Sequence, residues 1–218
     1  MNHAPILPIL LPLAAALLQL AGARNGIAYQ RVVGMAAVVA SLTVALWLLA
    51  LADRGTLMVY ALGNWPAPFG IVLVADRLAA MLVALTALLA ATSLLFACSG
   101  MDGEGRHFHP LFQLQIAGVN GAFLTGDLFN LFVFFEVMLL ASYVLLAHGG
   151  GLQRTRAGFA YVTLNLAGSA MFLIALGMIY GTVGTLNLAD VALRLQAAEA
   201  IDAALVRTGC APGSTTSW

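Results

Sequence analysis

Apolar residues fall into six long, unbroken runs, at about residues 4–21, 32–52, 71–97, 110–125, 128–147 and 158–180. At a rise of about 1.5 Å per residue, some 20 residues cross a hydrocarbon core of about 30 Å. The runs neither alternate like the strands of an outer-membrane barrel nor keep apolar residues to one helical face. The pattern predicts an all-α membrane protein with six transmembrane helices in residues 1–184. Residues 185–218 follow as an amphipathic, interfacial segment and a polar tail. In that segment Leu188, Val191, Leu195 and Ala198 lie on one side and Asp190, Arg194, Glu199 and Asp202 on others, as suits a helix lying on the membrane rather than a seventh span.

The fifth run stands out. Asp127 to His148, DLFNLFVFFEVMLLASYVLLAH, is apolar all round and carries one ionisable residue in its middle, Glu136. Counted from the helix start, Glu136 lies roughly 13 Å deep, near the bilayer centre. A carboxyl there costs several kcal/mol unless it is neutralised, hydrated or paired, so a proton or ion relay is the default reading. The rival is a protonated acid acting as structural glue between helices.

The breaks between runs predict the local structure. Pro5, Pro8 and Pro12 sit in the first half of helix one, tolerable where neighbours satisfy the freed carbonyls. Ala21-Gly22-Ala23 resembles a signal-peptidase site, but Met1-Asn2-His3 has no Lys or Arg, so a retained helix is expected. Residues 53–70, with Tyr60 and Trp65, read as an interfacial loop or short hairpin. Helix three is expected from Ile71, with Asp76 and Arg77 in its first two turns. The stretch CSGMDGEGRHFH, Cys98 to His109, reads as a solvated loop. His107 and His109 have no complete ligand set around them, so no metal site is expected.

Pro110 suits the first turn of helix four, where Gly118, Asn120 and Gly121 offer a small-residue face. Asp127 is expected to cap helix five, with an ion-entry role as the alternative. His148, at the far end, reads as a solvated terminal histidine, with proton passage as the alternative. On helix six Asn165, Gly168 and Ser169 share a face that helix five can approach, offering hydrogen bonds or hydrated space.

Composition sharpens these expectations. The chain has 218 residues, 62% of them hydrophobic and 8% charged, with mean hydropathy +0.98. No soluble domain buries that much apolar surface. Formal net charge is zero and every basic residue is Arg, leaving no basic surface for nucleic acid. Cys98 and Cys210 stand alone, forming neither a CxxC pair nor a disulfide framework. No nucleophile–base set, nucleotide loop or cofactor motif marks an enzyme. Arg24, Arg31, Arg106, Arg154 and Arg156 fall on one side of the membrane and Arg54 and Arg77 on the other, placing the first set in the cytoplasm and the N-terminus outside. Arg194 and Arg207 in the tail blunt that preference.

The run HFHPLFQLQIAGVNGAFLTGDLFNLFVFFEVMLLASYVLL, His107 to Leu146, resembles the D-type membrane subunits of the Mrp-type multisubunit monovalent cation/proton antiporters. That family is related to the antiporter-like proton-pumping subunits of respiratory complex I and membrane-bound hydrogenases. YVTLNLAGSAMFLIALGMIYGTVGTLNLADVA, Tyr161 to Ala192, is similar to the same family, and the likeness runs from about Leu57. The resemblance implies about fourteen helices with two inverted five-helix repeats, each with a broken helix and a lysine on a hydrated path. It implies that Glu136 matches the family's essential acid of helix five, which modulates a lysine on helix seven.

The implied partners are the other subunits of a bacterial inner-membrane complex, membrane lipid, protons and Na+ or another monovalent cation. The implied function is proton translocation coupled to cation export. Alternatives are a proton-pumping subunit of complex I or a hydrogenase, and a structural scaffold without transport. The six runs lack the lysine and the broken helices, so the expectation is a truncated front portion of such a bundle. Burial favours the neutral form of a carboxyl and a nearby cation its charged form. A lysine moving toward or away from Glu136 is thus the switch that the resemblance implies.

Overall fold

The structure, a computed structural model, describes residues 3–65, 70–105 and 107–207, with the backbone alone from residue 198 on. A 3-10 turn (Ala4–Ile6) leads into helix α1 (Leu7–Ala21), followed by α2 (Gly26–Asp53), strands β1 (Met58–Ala61) and β2 (Val72–Ala75), and α3 (Arg77–Ala97). Then come α4 (Phe108–Leu124), α5 (Leu128–Leu146), α6 (Leu152–Val183) and α7 (Leu188–Arg207). Ala4–Ala21, Ala23–Asp53, Arg77–Ala97, Leu128–Leu146 and Leu152–Val183 are long and apolar enough to cross a membrane. At 17 residues α4 is shorter, and it packs against α1, α5 and α3. The tail beyond 207, with Cys210, and Arg106 lie outside the described residues.

Three boundaries differ from the sequence expectation. Helix three does not begin at Ile71. Met58 to Ala61 pair antiparallel with Val72 to Ala75, so this apolar run starts as the second arm of a hairpin. Asp76 then caps α3, its carboxylate accepting from the Ala79 N–H at 2.7 Å. Asp76 and Arg77 therefore start the helix instead of lying within it. Arg77 pairs with Asp53 at 2.7 Å, on the surface, where such pairs contribute little. Helix α2 starts at Gly26, not near residue 32, and α6 at Leu152, not Gly158, so Arg31, Arg154 and Arg156 belong to helices. Helix α5 stops at Leu146, and Gly149, Gly150 and Gly151 follow with positive φ.

On the side of the membrane where that hairpin lies, backbone bonds tie three turns together. The Gly126 N–H donates to the Val72 carbonyl at 2.8 Å, Leu128 to Leu186 at 2.9 Å and Leu188 to Gly126 at 2.9 Å. These bonds fix the entry of α5 relative to the exit of α6.

Packing is densest around α4 and along α2–α3, where small residues line the contacts. Helix α3 buries Ala79, Ala80, Val83, Ala87, Ala90, Leu94 and Ala97, a stripe at helical spacing that meets Ala45 and Leu48 of α2. With lipid as apolar as leucine, helices associate by such close approach. On α4, a Cβ at Gly118 would lie 2.9 Å from the Met138 backbone nitrogen, and one at Gly121 would overlap the Phe134 ring. The glycines let α5 pack directly on α4.

Asn120, also on α4, donates to the Pro8 carbonyl at 2.8 Å. Pro12 has no N–H to give that carbonyl, and Asn120 takes the missing donor's place. By contrast α6 buries only Gly158 and Leu176.

The opposite side is fastened by an ion-pair cluster in the loop expected to be solvated. Arg31 of α2 forks Asp102, Nε to Oδ2 at 2.7 Å and Nη2 to Oδ1 at 2.8 Å. His109 Nε2 lies 3.0 Å from Asp102 Oδ2. Asp102 and His109 are each 1% exposed. The Arg31 hydrogen bonds, and those of His109 after them, hold the Asp102 carboxyl below the usual carboxylate range despite its burial. Only His107 of that loop's two histidines is exposed. The 3-10 turn Met101–Glu104 folds Asp102 inward onto Arg31, and this is why the solvated-loop expectation fails.

Two predictions concern stability. Gly118→Val forces α4 from α5 and costs about 1–3 kcal/mol, as overpacking does. Gly177→Val, where a Cβ meets nothing within 4 Å, is close to neutral; unfolding midpoints of the two variants in detergent check this. Asp102→Asn removes the anion that Arg31 forks and destabilises the fold. Because the folded-state pKa lies below the unfolded value of about 3.9, the wild-type contribution is present above that value. It is lost as pH falls through the folded value. Unfolding measured from pH 7 downward therefore shows an acid-labile step that Asp102→Asn removes.

Candidate functional site

Glu136 is the ninth residue of α5, roughly 13 Å along it at the helical rise. Across the α5–α6 contact, the Ser169 hydroxyl donates a hydrogen bond to Glu136 Oε1. Both side chains are half-buried. A cleft of about 480 Å³ adjoins the pair, lined by Phe123, Phe132, Phe135, Phe172, Gly168 and Ser169 among others. Its walls are aromatic, with Phe132 and Phe172 stacked at 6.0 Å between centroids. The site is thus a single carboxyl with one hydroxyl partner in an otherwise apolar wall. It can hold a proton, or exchange that partner for a cation or water.

The other residues singled out from the sequence go elsewhere. Asn165 shares a helix face with Ser169, yet its amide donates to the Tyr161 carbonyl of its own helix at 2.8 Å and does not join Glu136. Tyr161 instead meets α5 at Ser142, 3.4 Å away, and at Tyr143, edge to face at 5.5 Å. Gly168 has open space where a Cβ would be, so it marks room rather than close approach.

His148 lies twelve residues beyond Glu136, about 18 Å along the direction of α5. Its carbonyl accepts from Arg154, and Arg154 also pairs with Glu104 at 2.9 Å. The His148 ring packs on Phe108 at 5.3 Å with Nε2 buried. It is therefore half-buried rather than free in solvent, with Phe108 and Gly105 lying against its ring. Asp127 is at the helix start, its carboxylate accepting from the Asn130 N–H at 2.8 Å, while Asn130 donates to Thr125 at 2.9 Å.

Sequence reasoning missed Asp102 and Arg31 and undervalued His109. The available signal was the spacing of His109, Gln113 and Asn120, four and seven apart, which puts three polar side chains on one face of a membrane helix. Cys98, Asp102 and His109 bring one donor atom each within 4.8 Å of one another. Burial pushes the Cys98 thiol up, away from the thiolate form that binds metal. Arg31 already occupies both carboxylate oxygens of Asp102, so the three side chains make an ion-pair cluster rather than a vacant chelate.

Residues 125–208 match the family model described as NADH:quinone oxidoreductase/Mrp antiporter, TM. Over 216 residues the chain is 51% identical to the probable D subunit of a K(+)/H(+) antiporter from Rhizobium meliloti (strain 1021), covering 97% of this chain and 40% of that protein. Among solved structures, it is similar to a chain of the Mrp complex from Dietzia sp. DQ12-45-1b at TM-score 0.79 and 31% identity, covering 89% of this chain and 39% of that one. It is also similar to a chain of an archaeal membrane-bound sulfane sulfur reductase, at TM-score 0.82 and 30% identity, covering 87% and 39%. The chain therefore spans about 40% of the length of the curated relatives it matches. With its apolar helices, the match makes it a multi-pass membrane protein, and over nearly its whole length it is similar to the D-type membrane subunits of monovalent cation/proton antiporters.

Proposed function

We propose that this chain works within a multisubunit monovalent cation/proton antiporter, with Glu136 as a proton-carrying group. The observation that carries the reading is the Glu136–Ser169 pair, a carboxyl deep in α5 whose only polar partner among the described residues sits on α6. The hydroxyl steadies the carboxyl without neutralising it. Movement of α6, or arrival of a positive charge in the adjoining cleft, then changes the free energy of holding the proton. Coupling to Na+ or K+ export follows when that positive charge is governed by cation occupancy elsewhere in the complex. The remaining parts of the path are supplied by partner subunits and by the length of the relatives that this chain does not span.

The arginine distribution supports a bacterial inner-membrane orientation with the α1–α2, α3–α4 and α5–α6 loops in the cytoplasm and the N-terminus outside. Asn165 and His148 are proposed as helix contacts and Asp127 as the cap that fixes α5. A second reading, a redox-driven proton-pumping subunit, is favoured by the likeness to the sulfane sulfur reductase chain. In that case the same carboxyl works, driven by redox subunits, and neighbouring genes encode redox proteins rather than small antiporter subunits.

The test is Glu136→Gln in the intact subunit within its complete complex, assayed as cation-induced proton movement in inverted membrane vesicles. Exchange falls to background while the complex still assembles. Ser169→Ala slows exchange by roughly tenfold, the equivalent of the about 1.5 kcal/mol of one hydrogen bond to a charged group. Unchanged antiport in Glu136→Gln sinks the assignment, and a loss of assembly with unchanged exchange per assembled complex makes the chain a scaffold.

A further inference from the structure

Three buried polar side chains converge on one residue between α1, α2 and α4. Gln19 is 0% exposed, and His109 and Gln113 are 1% exposed each. The Gln19 amide donates to the Gln30 carbonyl at 3.1 Å and the Gln113 amide to the Gly34 carbonyl at 3.1 Å. A Cβ at Gly34 would lie 3.0 Å from Gln19 Nε2 and 3.3 Å from His109 Nδ1. The three side chains therefore gather where α2 has no side chain of its own. Their remaining atoms, Gln19 Oε1, Gln113 Oε1 and His109 Nδ1, have no protein partner among the described residues.

Those three atoms share a chemical need. His109 turns Nε2 to Asp102; with the ring proton there, Nδ1 is a lone-pair acceptor. Two amide oxygens and an imidazole lone pair are all acceptors and cannot satisfy one another. A buried polar group left unpaired costs about 1–3 kcal/mol. Water molecules, each with two donors, can satisfy such acceptors between them, and water is what proteins bury for this purpose. An entrance is at hand. A cleft of about 390 Å³ is lined by Gln30 and Asp102, with Ala23, Gly26, Ile27 and Gly103 around them. Gln30 thus borders the cleft and also accepts from Gln19.

We propose that Gln19, His109 and Gln113 form a buried water site around Gly34, fed from this cleft, and that His109 passes protons between that water and Asp102. As the water gives a proton to Nδ1 it takes one up from the cleft, and the proton on Nε2 leaves to the Asp102 carboxylate, so the ring ends neutral in its other tautomer and Asp102 ends as the neutral acid. The reverse transfer restores it. The titratable and charged groups around His109 are Asp102 from the α3–α4 loop, Arg31 from α2 and Cys98 from the end of α3; α1 brings only neutral Gln19. The site does not involve Glu136 and stands or falls apart from the antiporter reading.

The test uses the full chain in lipid nanodiscs with ¹⁵N-labelled histidine and water-edited solid-state NMR, the probe being water itself. A variant in which His3, His107 and His148 are each replaced by Gln isolates the His109 signals. The expected result is magnetisation transfer from water to Nδ1, with ¹⁵N shifts at both ring nitrogens averaged between the two tautomers. Gly34→Ala, which fills the convergence point with one methyl, weakens the transfer. A dry Nδ1, a direct coupling of Nδ1 to the Gln19 amide proton, or a single locked tautomer overturns the proposal. So does a signal that shifts when Na+ is exchanged for K+ or choline, since the amide oxygens then hold a cation instead of water.

Discussion

A polar group inside a bilayer has no solvent to fall back on, and helix α4 is built to answer that constraint. Pro12 strips the Pro8 carbonyl of its helical donor, and Asn120 supplies one from across the α1–α4 contact. In hydrocarbon an unmatched carbonyl costs several kcal/mol, so this one amide makes a proline-rich first helix tolerable. It also fixes the register of α1 against α4. The turn of helix that carries Asn120 carries Gly118 and Gly121, which admit α5. One short helix thereby holds α1 on one face and α5 on another. Everything further out, including the placing of Glu136, is referred to it.

The spans were legible in the sequence because hydrocarbon thickness selects their length and leaves little freedom. The start of α3 was not. Val72 and Val74 are as apolar as the helix that follows, and an unbroken apolar run does not reveal where strand pairing gives way to helix. Asp76 holds that information as a cap, yet at a helix start the same residue reads equally well as an interfacial charge. Asp102 was illegible for a different reason. Its loop is polar and its partner Arg31 lies 71 residues away, so nothing local separates an inward from an outward carboxylate. For the candidate site, Glu136 and the sharing of a face by Asn165 and Ser169 followed from helical spacing. Spacing does not choose the rotamer, and Asn165 turned back to its own helix.

The two polar features of the molecule lie on opposite sides of α4 and are held differently. His109 and Asp102 sit in a region pinned by a forked guanidinium beside the packed cluster of Val38, Ala90, Leu94 and Ile116, with almost no exposure. Glu136 rests between α5 and α6, where α6 is exposed nearly throughout and Gly168, Gly177 and Gly181 face open space. Regions with few buried contacts open at lower free energy than the body of a fold. The Glu136 carboxyl therefore has more room to change partners than the Asp102 carboxylate, whose two oxygens stay within the Arg31 fork. Helices α1 to α5 pack closely and fix the position of Glu136, and α6 brings Ser169 to it. Side-chain size sets the close packing: glycine and alanine draw α1 through α5 together, whereas among the described residues Gly168, Gly177 and Gly181 of α6 lie on its open face.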